Sequence, residues 1–228
     1  MADRPILIVA HGQPGHPAPQ QAAIEGLAAQ VSALLGQRVT GATLAAPGAL
    51  EGGAGPGALV YPLFMAAGWF TRSELPRRLH QAGATDAQIL PPFGSDPGLP
   101  DVALSLMRRA AEGAGMALDK AAVLLAAHGS GRSREPARAA RAFAKRLGPF
   151  TGPVTCGFIE EAPFVTDAAQ GLGPDSLCLP FFATGAGHVT QDLPNALGQA
   201  GFQGITLPPL GLAPEVPGMI AAALKAAP

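Results

Sequence analysis

Three residues of the kind that hold a divalent metal ion stand at the ends of three apolar runs in the C-terminal part of the chain. His128 closes VLLAAHG, Glu160 follows GFI with Glu161 beside it, and His188 lies within LPFFATGAGHVTQDLP. Imidazole nitrogens with a carboxylate suit a borderline ion such as Fe²⁺, Co²⁺, Ni²⁺ or Zn²⁺. Three protein ligands leave coordination positions open, so that the metal reacts or is handed on. A neutral imidazole also accepts protons near neutral pH. Which histidine is ligand and which is base, the spacing leaves open.

The elements that must position these residues are written twice. ILIVAHG (6–12) matches VLLAAHG (123–129), each a buried-strand signal ending in His-Gly. Ala-rich helical segments follow, roughly Pro19 to Leu35 and Glu135 to Leu147. GATLAAP (41–47) answers GFIEEAP (157–163). LVYPLFMAAGWFTRSELPRRLHQAG (59–83) then pairs without gaps with LCLPFFATGAGHVTQDLPNALGQAG (177–201), and ILPPFG (89–94) with TLPPLG (206–211).

The repeat predicts strand and helix alternating four times in each half. Continuous apolar strands of this sort imply a parallel sheet covered by helices on both faces. Two α/β domains are therefore expected, 1–117 and 118–228, joined near Gly115 to Asp119. Open parallel sheets bind ligands outside the carboxyl ends of their strands, which is where the three residues fall. In the first half the matching places hold His11, Leu44 and Phe70, so that half keeps one metal-type residue of three.

Composition narrows the function further. Of 228 residues, 48% are hydrophobic and 14% charged, with a net charge of −1. That balance describes a well-buried globular chain with no global pull towards nucleic acid or an anionic membrane. Its apolar runs are too short to span a bilayer, and MADRPILIVAHG has no leader-like basic region or cleavage site. A cytoplasmic protein is expected, with Cys156 and Cys178 as reduced core thiols. There is no Gly-x-Ser-x-Gly elbow, no Gly-x-x-x-x-Gly-Lys phosphate loop and no complete Gly-x-Gly-x-x-Gly. The Gly-rich stretch EGGAGPG (51–57) precedes a strand and reads as a loop.

VLLAAHGSGRSREP, GFIEEAP and PFFATGAGHVTQDLP, taken in order, resemble the motifs of the sirohydrochlorin chelatases of the CbiX and SirB type, the class II chelatases. That resemblance implies two flavodoxin-like halves facing each other across a cleft, and ATP-independent insertion of a divalent metal into a tetrapyrrole. It implies that His128, Glu160 and His188 hold the metal near the macrocycle and serve its insertion. It implies no permanently bound cofactor: the metal, Fe²⁺ ahead of Co²⁺, is itself a substrate, and no His-rich metal-storing tract is present. The polycarboxylate substrate calls for local positive charge, and Ser130 of the His-Gly-Ser turn, with Arg132 and Arg134 beside it, are the second half's candidates for binding that substrate. Arg77, Arg78 and Arg138 read as solvated helix residues. His11 and Phe70 are the first half's candidates for touching substrate, and Phe64 and Phe182 read as core. With both halves in one chain, a functional monomer is expected, a dimer not being needed to build the site. The competing reading is a non-catalytic tetrapyrrole or metal carrier.

Overall fold

The computed structural model describes residues 4–185 and 189–228. In chain order the elements are β1 (Ile6–Ala10), α1 (Pro17–Leu35), β2 (Val39–Thr43), β3 (Leu59–Pro62), α2 (Leu75–Gln81), β4 (Gln88–Ile89) and α3 (Leu99–Gly113). They continue as β5 (Ala122–Ala127), α4 (Glu135–Leu147), β6 (Val154–Phe158), α5 (Val165–Ala168), β7 (Ser176–Pro180), α6 (Asp192–Ala200), β8 (Ile205–Thr206) and α7 (Val216–Ala226).

These strands form two four-stranded parallel sheets, ordered β2-β1-β3-β4 and β6-β5-β7-β8. This is a flavodoxin-like order, whose direction reverses between the first and third strands. Burial on both faces explains the strands' composition: all five residues of β1 and of β7 are buried. Leu7, Val9, Val60, Leu75 and Leu79 make one core layer of the first sheet. Leu124, Ala126, Cys178, Phe182, Leu193 and Leu197 make its counterpart in the second. Both cysteines are free, and burial pushes the Cys178 thiol up to about 12.

The strict alternation of strand and helix does not hold throughout. Between β2 and β3 the first half has turns rather than a helix, and its counterpart α5 is a single turn. Glycines 48, 52, 53, 55 and 57 crowd that connection, and glycine is costly in a helix.

The compact units also depart from the expected 117/118 boundary. One comprises residues up to Asp96 together with Glu215–Pro228, and the other comprises Pro97–Pro214. The apolar faces of two helices explain the division. α3 buries Leu99, Val102, Leu106 and Met107 and packs against α4 and β7, in the second unit. α7 buries Val216, Ile220 and Leu224 and packs along α1, in the first. Among the described residues no helix is long and apolar enough to cross a membrane.

Candidate functional site

The strand-end residues of the second unit start from a His-Gly turn. β5 delivers His128 at its carboxyl end, and Gly129 takes φ +70°, in the left-handed region. A Cβ there would come within 2.9 Å of Phe158 Cβ and Glu161 Cγ, so this turn requires glycine on two counts. His128 Nδ1 lies 3.0 Å from the Gly129 carbonyl oxygen. A carbonyl only accepts, so Nδ1 carries the hydrogen and Nε2 is the basic nitrogen of the neutral ring.

Glu160 and Glu161, adjacent in sequence, are placed differently. Glu160 Oε2 is 3.6 Å from His128 Nδ1, and both side chains are half-exposed. Glu161 Oε1 instead accepts the Ser130 backbone N–H at 2.8 Å. Ser130 Oγ in turn accepts the N–H groups of Arg132 (3.1 Å) and Ser133 (3.2 Å). Glu161 and the Ser130 hydroxyl therefore hold the loop that follows His128. Sequence reasoning missed this bracing role of Glu161; its signal was the second glutamate of GFIEEAP.

Arg132 and Arg134 are exposed at the start of α4, and among the described residues their side chains have no partner. Arg138 pairs with Glu135 at 2.9 Å. His188 lies outside the described residues. Among those described, no group of three metal-type side chains forms, so the structure brings His128 and Glu160 together and leaves the third member as an expectation.

The first unit repeats the turn with other neighbours. His11 Nδ1 is 2.7 Å from the Gly12 carbonyl oxygen, and Gly12 has φ +77°. Where His128 has a carboxylate, His11 meets Phe70 edge-on, with ring centroids 4.2 Å apart at 82°. Phe70 opens a π-helical turn, Phe70–Glu74, in which the Leu75 N–H reaches back to the Phe70 carbonyl. Pro76, next in line, has no N–H to continue an ordinary helical ladder. Glu74 braces this turn. Arg77 donates to it twice (2.7 and 2.9 Å) and Arg78 once (2.9 Å). The Arg77 and Arg78 hydrogen bonds hold the Glu74 carboxyl down at about 2. Arg77 and Arg78 thus brace the fold rather than simply facing solvent.

The pairing of Leu44 with Glu160 needs correction. Ile8 is in register with Gly41, but Leu125, its equivalent, is in register with Cys156 rather than Gly157. Gly41 lies against the backbone of α1, whereas Gly157 lies against α5. A slip of one residue turns a strand's side chains to opposite faces. The structural equivalents are therefore Leu44 with Ile159 and Ala45 with Glu160. Backbone bonds agree: Ala45 N–H donates to His11 O, as Glu160 N–H donates to His128 O. Leu44 is accordingly buried at 7% exposure.

An open groove of about 780 Å³ runs along α1 and β2, lined by Gln21, Glu25, Ser32 and Arg38, away from the strand-end histidine. The titratable groups meet instead at the strand ends, where Glu160 Oε2 lies 3.6 Å from His128 Nδ1.

A family profile described as CbiX matches residues 122–227. A solved structure described as CbiX, the terminal enzyme for biosynthesis of siroheme in denitrifying bacteria, is 62% identical. That match covers 99% of this chain and 100% of the other, with a TM-score of 0.92. SirB from Bacillus subtilis with Fe³⁺ matches at 15% identity, over 96% of this chain and 93% of its own, with a TM-score of 0.74. The sirohydrochlorin chelatase SirB from Bacillus subtilis subspecies spizizenii, in complex with cobalt, matches at 16% over the same shares with a TM-score of 0.69. At those identities the SirB structures speak for the fold alone. Among curated proteins no match was found.

Proposed function

This chain belongs to the CbiX family, and on that premise we propose that it is a sirohydrochlorin chelatase, a lyase that inserts a divalent metal into sirohydrochlorin without ATP. The observation that carries this is the 62% identity, over essentially the whole of both chains, to the terminal enzyme of siroheme biosynthesis. Siroheme is the iron complex of sirohydrochlorin, which favours Fe²⁺ as the metal substrate, with Co²⁺ next.

Insertion forms four metal–nitrogen bonds and releases two pyrrole protons, so the site must both hold M²⁺ and accept H⁺. His128 Nε2 supplies a lone pair for either task, because the Gly129 carbonyl keeps the hydrogen on Nδ1. Glu160, 3.6 Å from Nδ1, steadies the imidazolium when Nε2 takes a proton and offsets the charge of the arriving ion. We assign His188 as the second imidazole and Glu160 as the third member of the metal set. Arg132 and Arg134 meet the carboxylates of the macrocycle with charge-assisted hydrogen bonds. The enzyme works in the cytoplasm and its functional unit is a single chain.

The deciding experiment gives purified apo-protein sirohydrochlorin and Fe²⁺, Co²⁺ or Ni²⁺ in turn, following the visible spectrum anaerobically. Insertion well above the uncatalysed rate, fastest with Fe²⁺, is expected. Tight macrocycle binding without acceleration by any metal would make the protein a carrier instead.

A further inference from the structure

At its strand ends the first unit has His11 as its one metal-type residue, with Ala45 and Phe70 in the other two places, yet the surroundings of Phe70 are organised. Four rings form a connected set there. Phe70 meets His11 edge-on at 4.2 Å, Trp69 edge-on at 5.0 Å and Phe64 in a stacked arrangement at 6.3 Å. Phe64 packs against the core, whereas Trp69 is 62% exposed and Phe70 37%. Trp69 is the chain's single tryptophan, and aromatic residues make up only 5% of the sequence.

This patch is also held still. Glu74 is pinned by Arg77 and Arg78 one turn on, Thr71 Oγ1 donates to Gly68 O at 3.0 Å, and the Gly12 carbonyl fixes the His11 ring. Rings on a braced turn give large contact area while losing little side-chain freedom on binding. The patch sits just beyond β1 and β3, at the point of strand-order reversal where doubly wound sheets take their ligands.

We propose that Trp69 and Phe70 form a stacking platform for the flat face of the tetrapyrrole, with His11 and Phe64 setting the Phe70 ring. The inference rests on the chelatase reading, which supplies the conjugated macrocycle. Trp69 and Phe70 are substrate-binding residues. They ligate nothing and take no proton, and they act on affinity for the ring system.

The test measures the dissociation constant for metal-free sirohydrochlorin, and KM for macrocycle and metal separately, in wild type, Trp69→Ala, Phe70→Ala and Trp69→Phe. Each alanine variant should raise the macrocycle dissociation constant and KM about tenfold, the order expected from losing one aromatic contact. KM for the metal should stay put, and Trp69→Phe should recover affinity to within about threefold, since its ring keeps a stacking face. Trp69 stands mostly in solvent, so Trp69→Ala removes little packing, and circular dichroism checks the fold of each variant, Phe70→Ala included. Unchanged macrocycle affinity in Trp69→Ala beside an active wild type would overturn the platform and leave the chelatase reading standing. So would a parallel rise in metal KM, or a change of oligomeric state without a change in affinity; the latter would reassign the patch to contact between copies. A wild type that neither binds nor metallates sirohydrochlorin would remove the chelatase reading and the platform with it.

Discussion

His11 and His128 occupy turns whose backbones nearly coincide in kind. Each ring is fixed by the next residue's carbonyl, and each following glycine is left-handed. Their surroundings differ completely. A carboxylate lies 3.6 Å from one ring and a benzene ring 4.2 Å from the other. The His-Gly turn is therefore a mounting that presents an imidazole. What that imidazole does is decided by two neighbouring loops, and duplication has left one mounting among charge and the other among rings.

The sharpest way to break this contrast is to remove the histidines. His188→Ala and His128→Ala should each lower the insertion rate about 100-fold or more, the loss expected when a site gives up a ligand or a base. Glu160→Ala should be damaging but less so. Glu161→Ala should cost less again, because that carboxylate braces the loop without joining the metal set. His11→Ala should cost only a few-fold. Initial rates of macrocycle metallation decide the order, and an inactive His11 variant beside an active His188 variant would place the chemistry in the first half.

A second intervention tests the register. If Ala45 is the equivalent of Glu160, Ala45→Glu should be nearly neutral in stability. Leu44→Glu would bury an unpaired charge among Leu7, Val9 and Leu75 and cost about 3–5 kcal/mol. Urea denaturation of both variants measures the difference, and equal stabilities would return Leu44 to the pairing read from sequence.

The smallest effect concerns Glu74, which braces the aromatic half alone; the gapless repeat puts Asp192 in its place and Asn195 and Ala196 in place of Arg77 and Arg78. Its carboxyl is held at about 2, below an ordinary value of 4.5. The stabilisation is present above the ordinary value and lost as pH falls towards 2. The Tm gap between wild type and Glu74→Gln should therefore close between about pH 4.5 and 2. A gap at pH 2 as wide as that at neutral pH would mean that the charge of Glu74 contributes nothing through Arg77 and Arg78.

Much of this was legible in sequence because it depended on local pattern. Apolar runs ending in His-Gly marked β1 and β5, and α4 spans the Glu135 to Leu147 read from its composition. The gapless match that set Phe70 opposite His188 agrees with the sheet registers of β3 and β7. The register of β2 was not legible, since the Gly and Ala-Pro that GATLAAP and GFIEEAP share match only one residue out of step with the sheet, and in the true register no residue of the two stretches is the same. The bracing role of Glu161 was not legible because its partner, the Ser130 N–H, is a backbone group 31 residues away. The placing of α3 and α7 depends on which apolar face finds which helix, and a repeat cannot display that.

The way α3 and α7 are placed reaches into the history and handling of the chain. A gene cut at the repeat join would yield a fragment ending in α3, whose packing partners α4 and β7 lie in the other fragment, and lacking α7, which lies along α1. Neither product would be a finished domain, since each would expose an amphipathic helix and leave uncovered the surface where its missing helix belongs. The unit of inheritance, one copy of the repeat, is thus not the unit of folding. The chain passes from one unit to the other near residue 96 and back near 215, so each unit takes its last helix from the other copy of the repeat.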